Sequence, residues 1–226
     1  MTEVTEVTEV TESTARPGSV APMPTNEEIT RHHDAPPPPG ADPWVVAPSA
    51  AYEIEIVEYD DRWPADFQRV AERVRSALGP AALELQHVGS TSVPGLPAKP
   101  IIDVDLVVAD PGDEAAYVPG LEAAGFVHWI REPWWHGHRL LKLDDPVTNL
   151  HVFGPDCPEV VRHRMFRDWL VEQPDELARY AATKRLAAAE VNARDGGGTA
   201  MDYNAVKEPV VREIYDRMFR AHGMLS

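Results

Sequence analysis

Two aspartates, Asp103 and Asp105, interrupt the apolar run IIDVDLVV, and their spacing indicates chemistry. Successive side chains of a strand point to opposite faces of a sheet, so both carboxylates are expected on one face. Carboxylates side by side repel each other, and each costs free energy when it leaves water. A divalent cation relieves both problems, and Mg²⁺ binds carboxylates while it keeps positions open for phosphate oxygens. A solvated strand face at a sheet edge is the alternative interpretation.

A glycine–serine pair, Gly89-Ser90, follows the preceding apolar run ALELQHV. Glycine has no side chain, so backbone N–H groups and the serine hydroxyl can approach an anion closely, although an ordinary turn has the same residues. The loop that returns to the acidic strand contains Lys99, whose charge suits a phosphate group. A solvated lysine is the alternative for that position.

The whole stretch HVGSTSVPGLPAKPIIDVDLVV resembles the signature of the GrpB family, which is nucleotidyltransferase-like. Similarity to that family continues downstream in NLHVF, FRDWL, YAATKRLA and YNAVK, so that it spans about residues 52–222. The order of strand, Gly-Ser, loop and acidic strand is also the layout of polymerase-beta-type nucleotidyltransferases. The resemblance implies that Gly89 and Ser90 contact nucleotide phosphates, and that Asp103 and Asp105 hold Mg²⁺, or Mn²⁺ in its place.

The resemblance implies Mg²⁺-dependent transfer of a nucleoside monophosphate from an NTP to a small-molecule acceptor. Active members of the superfamily bring a third acidic residue on a neighbouring strand, where it can act as general base. In TNLHVF the expected position is taken by His151, and a neutral imidazole can act as a base near neutral pH. The missing acid also favours a second interpretation, a non-catalytic protein that binds a nucleotide or phosphorylated metabolite on the same fold.

Three more cationic residues are candidates for phosphate binding. Lys207 lies inside the apolar stripe of the last predicted helix, one turn after Tyr203. Lys184 repeats this arrangement after Tyr180. We predict that both lysines point toward the nucleotide cleft, with extension into water as the alternative. Arg167 is a candidate clamp, because a planar guanidinium binds phosphate in a bidentate manner.

A segment rich in tryptophan and histidine, HWIREPWWHGHRLLKL, is another candidate for ligand contact. Its tryptophans could stack on a base or on an acceptor. Its histidines have the spacing of no standard zinc site, so the sequence disfavours zinc.

The elements that must position these residues follow an α+β order. Strands are predicted over YEIEIVEY, ALELQHV, IIDVDLVV, FVHWIRE, HRLLKL and TNLHVF. Helices are predicted from Asp60 or Asp61 to Gly79, over DEAAYVPGLEAAG, after a capping box of Asp156 and Glu159, from Pro174 to about Asn192, and up to about His222. We expect a nucleotidyltransferase-like mixed or antiparallel sheet, flanked by helices and followed by C-terminal helices.

Composition divides the chain into residues 1–49 and residues 50–226. The first part opens with a T-E-V repeat and continues with proline and acidic residues, so we predict a disordered tail before one folded domain. The formal charge of −16 disfavours non-specific nucleic-acid binding. No signal peptide or membrane span is evident and the chain has one cysteine, so a cytoplasmic protein without membrane partners is expected.

Overall fold

A computed structural model describes residues 23–32 and 37–226. It has one five-stranded sheet with the strand order β1-β2-β5-β4-β3. The strands are β1 (Glu84–Val88), β2 (Ile102–Val107), β3 (Val127–Glu132), β4 (His138–Asp144) and β5 (Val147–Phe153). β2 and β5 are parallel and the other neighbouring pairs are antiparallel, so the sheet is mixed and the predicted α+β class is confirmed.

Six α-helices surround this sheet in the described part of the chain. They are α1 (Asn26–Thr30), α2 (Trp63–Leu78), α3 (Val118–Ala123), α4 (Pro158–Glu172), α5 (Pro174–Asn192) and α6 (Ala200–Ala221). α5 has the predicted bounds, whereas α3 is shorter than predicted because Pro119 lies in its first turn. Over residues 23–32 and 37–226, no helix has the length and apolar character needed to cross a bilayer.

The two faces of the sheet have different roles. One face packs against α2 and α3 through a large apolar cluster that includes Val104, Leu150, Leu141, Val70 and Leu121. Side chains alternate along each strand, so Asp103, Asp105 and His151 must lie on the other face. That face is directed toward the C-terminal helices, and helix α4 contacts strand β1 on that side. The fold therefore places the acidic strand between the core and these helices.

The segment YEIEIVEY is not a strand of the sheet, contrary to the prediction. It makes only isolated bridges, from Tyr52 to Gly198 and from Val57 to Ala98. The alternation of polar and apolar residues in this segment reflects packing on helices, because Ile54 is buried against α5 and α6. The side-chain amide of Asn192 bonds to the backbone N–H and C=O of Ile54 at 2.7 and 2.9 Å, which replaces a neighbouring strand.

Part of the stretch predicted to be a disordered tail, residues 1–49, is folded. Helix α1 begins with a capping box and buries Ile29 against α4 and α6. Arg162 of α4 donates to the backbone carbonyl of Ile29 at 2.9 Å and to a second carbonyl two residues later at 2.6 Å. The prediction of disorder is therefore wrong for residues 26–30, which form α1. Residues 1–22 and 33–36 lie outside the part of the chain that the structure describes.

Residues 43–45 cover the outer edge of the sheet. Trp44 forms an isolated bridge with Ile130 of edge strand β3, and the N–H of Val45 donates to the carbonyl of Trp129 at 3.0 Å. A chain that pairs with an edge strand satisfies its free backbone groups. The contact also brings Trp44, which composition had assigned to the tail, to the site described below.

The predicted capping box before α4 is also wrong. The helix begins at Pro158, so Cys157 is the N-cap and no side chain caps the first turn. Glu159 is buried and pairs with Arg162 at 2.8 Å. Asp156 is one residue too early for a capping role, because the proline at the first helical position fixes where the helix begins.

Candidate functional site

A cavity of about 540 Å³ lies between the polar face of the sheet and the C-terminal helices. The structure brings together most of the residues that the sequence singled out. Seven of them line the cavity: Gly89, Ser90, Lys99, Asp103, His151, Lys184 and Lys207. Asp105 and Arg167 are not among its lining residues.

Asp103 is the carboxylate that faces this cavity. Asn149 donates to its Oδ1 at 2.9 Å, and Nε2 of His151 lies 3.9 Å from the same oxygen. Burial would raise the pKa of Asp103, but neighbouring groups, among them the Asn149 amide and the charge of Lys99, hold it below its usual value. Asp103 therefore remains an anion beside the Gly-Ser turn at neutral pH.

Asp105 shares the face of Asp103 but has different surroundings. It is fully buried, and Nδ1 of His163 in α4 donates to its two oxygens at 2.9 and 3.2 Å. Burial would lower the pKa of His163, but the Asp105 carboxylate outweighs this effect, and the pKa is raised to about 9. The two side chains form a buried ion pair, and Asp105 is withdrawn from the cavity.

The residues present do not fit the predicted magnesium or manganese site. That site requires two carboxylates to converge on one cation, whereas Asp103 lines the cavity and Asp105 is fully buried and paired with His163. Within residues 23–32 and 37–226, no three His, Cys, Asp or Glu side chains are grouped so that they could hold a metal ion. His151, in the position expected for the third acid, pairs in register with Asp105 across parallel strands.

Lysines dominate the charge of the cavity. The chain contains four lysines, and all four line it: Lys99, Lys142, Lys184 and Lys207. Every other permanently cationic side chain of this acidic protein is an arginine. Sequence analysis named three of these lysines as candidates and missed Lys142, which lies on strand β4.

Lys184 is the most deeply buried of these lysines, with 2% of its surface exposed. Its Nζ lies 5.3 Å from the centre of the Tyr180 ring and has no hydrogen-bond partner among the described residues. Burial, assisted by the charge of Lys207, lowers its pKa to about 6. A buried amine without a polar partner is costly in free energy, and a hydrogen-bond acceptor that entered the cavity would remove this cost.

Lys99 and Lys207 both lie close to one tyrosine, Tyr203. Each Nζ is 5.1 Å from the centre of the Tyr203 ring, and Lys207 also donates to the hydroxyl of Tyr180 at 3.3 Å. Burial, followed by the charge of Lys207, lowers the pKa of Lys99. The structure thus places both helical lysines, Lys184 and Lys207, at the cavity, in the direction that their spacing after tyrosine predicted.

His87 and Arg167 make contacts that hold the residues on either side of the Gly89-Ser90 turn. His87 stacks on Phe67 at 4.9 Å and its Nε2 lies 3.1 Å from the hydroxyl of Thr91, while burial lowers its pKa to about 4. Arg167 donates to the backbone carbonyl of His87 at 3.1 Å and pairs with its neighbour Asp168 at 2.7 Å. Arg167 therefore holds the end of β1 and does not line the cavity, so its role as a phosphate clamp stays a prediction.

Aromatic side chains form another wall. Trp44, Trp129 and Trp135 line the cavity, and Nζ of Lys142 lies 4.2 Å from the centre of the Trp129 ring. Of these, the tryptophans of β3 and its following loop belong to the segment predicted to stack on a ligand. Trp44 was missed, because a single tryptophan in a proline-rich stretch gives no periodic signal.

Gly89 is required where β1 ends, and replacement by alanine should be costly. Its backbone has φ +67°, and an added Cβ would lie 2.8 Å from Cβ and 2.9 Å from Cγ of Asp103. Gly89→Ala should therefore lower the free energy of unfolding by about 1–3 kcal/mol, measured by denaturant titration. Gly95→Ala is the control, because Gly95 also has positive φ but has nothing within 4 Å. Equal losses in both variants would show that the contact with Asp103 has no effect.

Comparison with known proteins gives consistent matches. A family model described as GrpB protein matches residues 53–217. A UPF0157 protein of Halalkalibacterium halodurans is 47% identical over 164 residues, covering 73% of this chain and 82% of that protein. A dephospho-CoA kinase of Mycolicibacterium paratuberculosis is 35% identical over 73% of this chain and 46% of the kinase. The crystal structure of GrpB from Enterococcus faecalis matches with a TM-score of 0.64 and 25% identity, covering 74% of this chain and 99% of that one.

Proposed function

The chain belongs to the GrpB family, and from the geometry of its cavity we propose that it binds a phosphate-bearing small molecule of nucleotide size. The observation that carries this proposal is the buried, unpartnered Nζ of Lys184 beside Lys99 and Lys207. Three amines in one partly desolvated space repel one another unless an anion joins them. Phosphate oxygens would accept from all three amines.

The size and lining of the cavity support a nucleotide or a similar metabolite. A volume of about 540 Å³ lies within the range of small-molecule sites. The tryptophans on its wall offer flat surfaces on which a planar ring can stack. The net charge of −16 argues against a polymeric phosphate backbone as the partner, and all four lysines line a concave site that suits a small anion.

A second candidate function is transfer of a nucleoside monophosphate from an NTP to a small acceptor. Asp103 beside Gly89-Ser90, with His151 within 3.9 Å, favours it because these are the expected catalytic positions. The burial of Asp105 against His163 counts against it. The match to a dephospho-CoA kinase, of which this chain covers 46%, does not distinguish the two functions.

The test uses the unusual distribution of lysines. We expect ATP, GTP, CTP or UTP to bind the purified protein in calorimetry without a divalent cation. The same nucleotide should protect the four lysines from acetic anhydride, as measured by mass spectrometry of peptides. Lys99→Ala should weaken binding by about tenfold or more, since a charge-assisted hydrogen bond contributes about 1.5–3 kcal/mol.

Arg185→Ala is the matched control for removal of a positive charge. Arg185 follows Lys184 in α5 but is half exposed and pairs with Glu58 at 2.6 Å. Its loss should leave nucleotide affinity unchanged. Failure of all four nucleotides to bind or to protect the lysines would remove the proposal. Transfer of label from an α-labelled NTP to an acceptor, abolished by Asp103→Ala, would instead establish the second candidate.

A further inference from the structure

Three side chains on neighbouring strands form a hydrogen-bonded row that ends in the cavity. Oε2 of Glu132 lies 2.8 Å from Nδ1 of His138, and Nε2 of His138 lies 3.0 Å from Nδ1 of His151. The free nitrogen of the last ring, Nε2 of His151, lies 3.9 Å from Oδ1 of Asp103, beyond hydrogen-bond distance. We call these three residues the Glu132–His138–His151 row.

The donors and acceptors in this row fix the direction of both hydrogen bonds. The carboxylate of Glu132 can only accept, so His138 must carry a proton on Nδ1. His138 is buried, and burial lowers its pKa to about 4, so at neutral pH its Nε2 has a lone pair. That lone pair accepts from Nδ1–H of His151. A neutral His151 then has its own lone pair on Nε2, the nitrogen nearest to Asp103.

Packing around the middle of the row keeps it dry. The ring of His138 meets Trp135 edge-on at 5.0 Å and stacks on Phe153 at 5.0 Å. Only 4% of the His138 side chain is exposed, so water has little access to the His138 end of the His138–His151 hydrogen bond. Glu132 is the solvent-exposed end of the row, with 27% of its side chain exposed.

We propose that Glu132 and His138 are positioning residues, which hold His151 as its Nδ1–H tautomer so that Nε2 accepts a hydroxyl group of the bound ligand. The lysines of the cavity are donors that match phosphate, whereas His151 offers an acceptor that matches an alcohol. The ligand class is thus a phosphate ester or anhydride that also carries a free hydroxyl, as a nucleotide does. The contact with the ligand rests on the proposed function, but the tautomer does not.

Asp103 has a defined part in this arrangement. Oδ1 of Asp103 lies 3.9 Å from Nε2 of His151, so a hydroxyl group that donates to Nε2 would also lie close to this carboxylate. The other charged groups near His151 are the ion pair of Asp105 and His163, whose ring centre is 6.3 Å away, and the lysines that line the same cavity. Nε2 of His151 therefore lies among groups of both signs.

The tautomer is tested on the full chain without ligand. Long-range ¹H–¹⁵N correlation spectra of the histidine rings at pH 8 should show Nδ1 of His151 protonated and Nε2 unprotonated. In His138→Phe, His151 should revert to the Nε2–H form that free histidine prefers in water. Glu132→Ala should shift it part of the way. His128→Phe is the control, because His128 bonds to the carbonyl of Ile130 outside the row, and it should leave His151 unchanged.

A wild-type His151 with its proton on Nε2, or one unaffected by His138→Phe, would overturn the positioning role even if nucleotides bind. The hydroxyl contact has its own test. ATP should shift the Nε2 resonance of His151, whereas tripolyphosphate, which has the phosphates without a sugar, should not. Equal shifts with both compounds would overturn the hydroxyl contact and leave phosphate binding intact.

Discussion

Replacement of Lys184 by methionine should make the protein more stable and at the same time weaken phosphate binding. Burial lowers the pKa of Lys184 from 10.5 to about 6, so between these values the unfolded chain binds a proton that the folded chain lacks. The cost of removing that proton is lost when the amine is replaced. Each pKa unit corresponds to about 1.4 kcal/mol, and after relaxation we expect a gain on the order of 1–3 kcal/mol at pH 7.

Affinity should change in the opposite direction. A phosphate group that enters the cavity supplies the missing partner of Nζ and raises the pKa of Lys184, so binding takes up a proton. Loss of this charge-assisted hydrogen bond should weaken nucleotide binding by about 10–100-fold. Wild-type affinity should also fall as the pH rises above 6, and the affinity of Lys184→Met should depend less on pH.

Denaturant titration and calorimetry measure the two effects on the same samples. The pKa itself can be read from the ¹³Cε resonance of Lys184, since the chain has only four lysines to assign. Arg185→Ala, one residue further along α5, should change neither quantity by much, because its pair with Glu58 is exposed. A variant that loses stability and keeps its affinity would show that Lys184 has only a packing role.

Local patterns were sufficient to predict the five strands of the sheet, the long helices and three of the four lysines that line the cavity. Alternation in IIDVDLVV placed Asp103 and Asp105 on one face, as the register of β2 with β5 confirms. The position of Lys184 was also local, since an i, i+4 relation to Tyr180 is a property of one helix. These features depend on residues a few positions apart, which a sequence displays directly.

The difference between the two aspartates was not predictable in this way. Alternation fixes the face on which a side chain lies, but the element that covers that face comes from elsewhere in the chain. His163, which holds Asp105, is 58 residues away on α4. No periodicity links the two residues, so only the packing of α4 on the sheet explains why one carboxylate is buried and the other lines the cavity.

Composition misled the prediction for residues 23–32 and 43–45 for a similar reason. Proline and acidic residues are typical of disordered chains, yet Arg162 caps the carbonyl groups at the end of α1 from a distance of 133 residues. Asn192 likewise satisfies the backbone of Ile54 and imitates a neighbouring strand. In each case a single side chain of a distant helix decides the conformation.

The ion pair of Asp105 and His163 should have the largest effect on stability. His163→Leu leaves a fully buried carboxylate without its partner, which should lower the free energy of unfolding by about 3–5 kcal/mol. The double variant Asp105→Asn/His163→Leu should recover most of this loss, because it removes the charge as well. Denaturant titration of the single and double variants measures the coupling. An equal loss in both would show that packing, not charge, is responsible.

The pH dependence of the free energy of unfolding distinguishes the contribution of the Asp105–His163 pair from that of Lys184. The pKa of His163 is raised from 6.5 to about 9, so its stabilising contribution is complete below pH 6.5 and is lost as the pH rises through 9. Lys184 acts in the opposite direction over the same range, since its destabilising effect decreases as the pH rises. The two slopes should nearly cancel in the wild type between pH 6.5 and 9. Stability should then fall with pH in Lys184→Met and rise with pH in the double variant Asp105→Asn/His163→Leu, which has neither the imidazolium nor the buried carboxylate, and parallel curves for the three proteins would contradict both assignments.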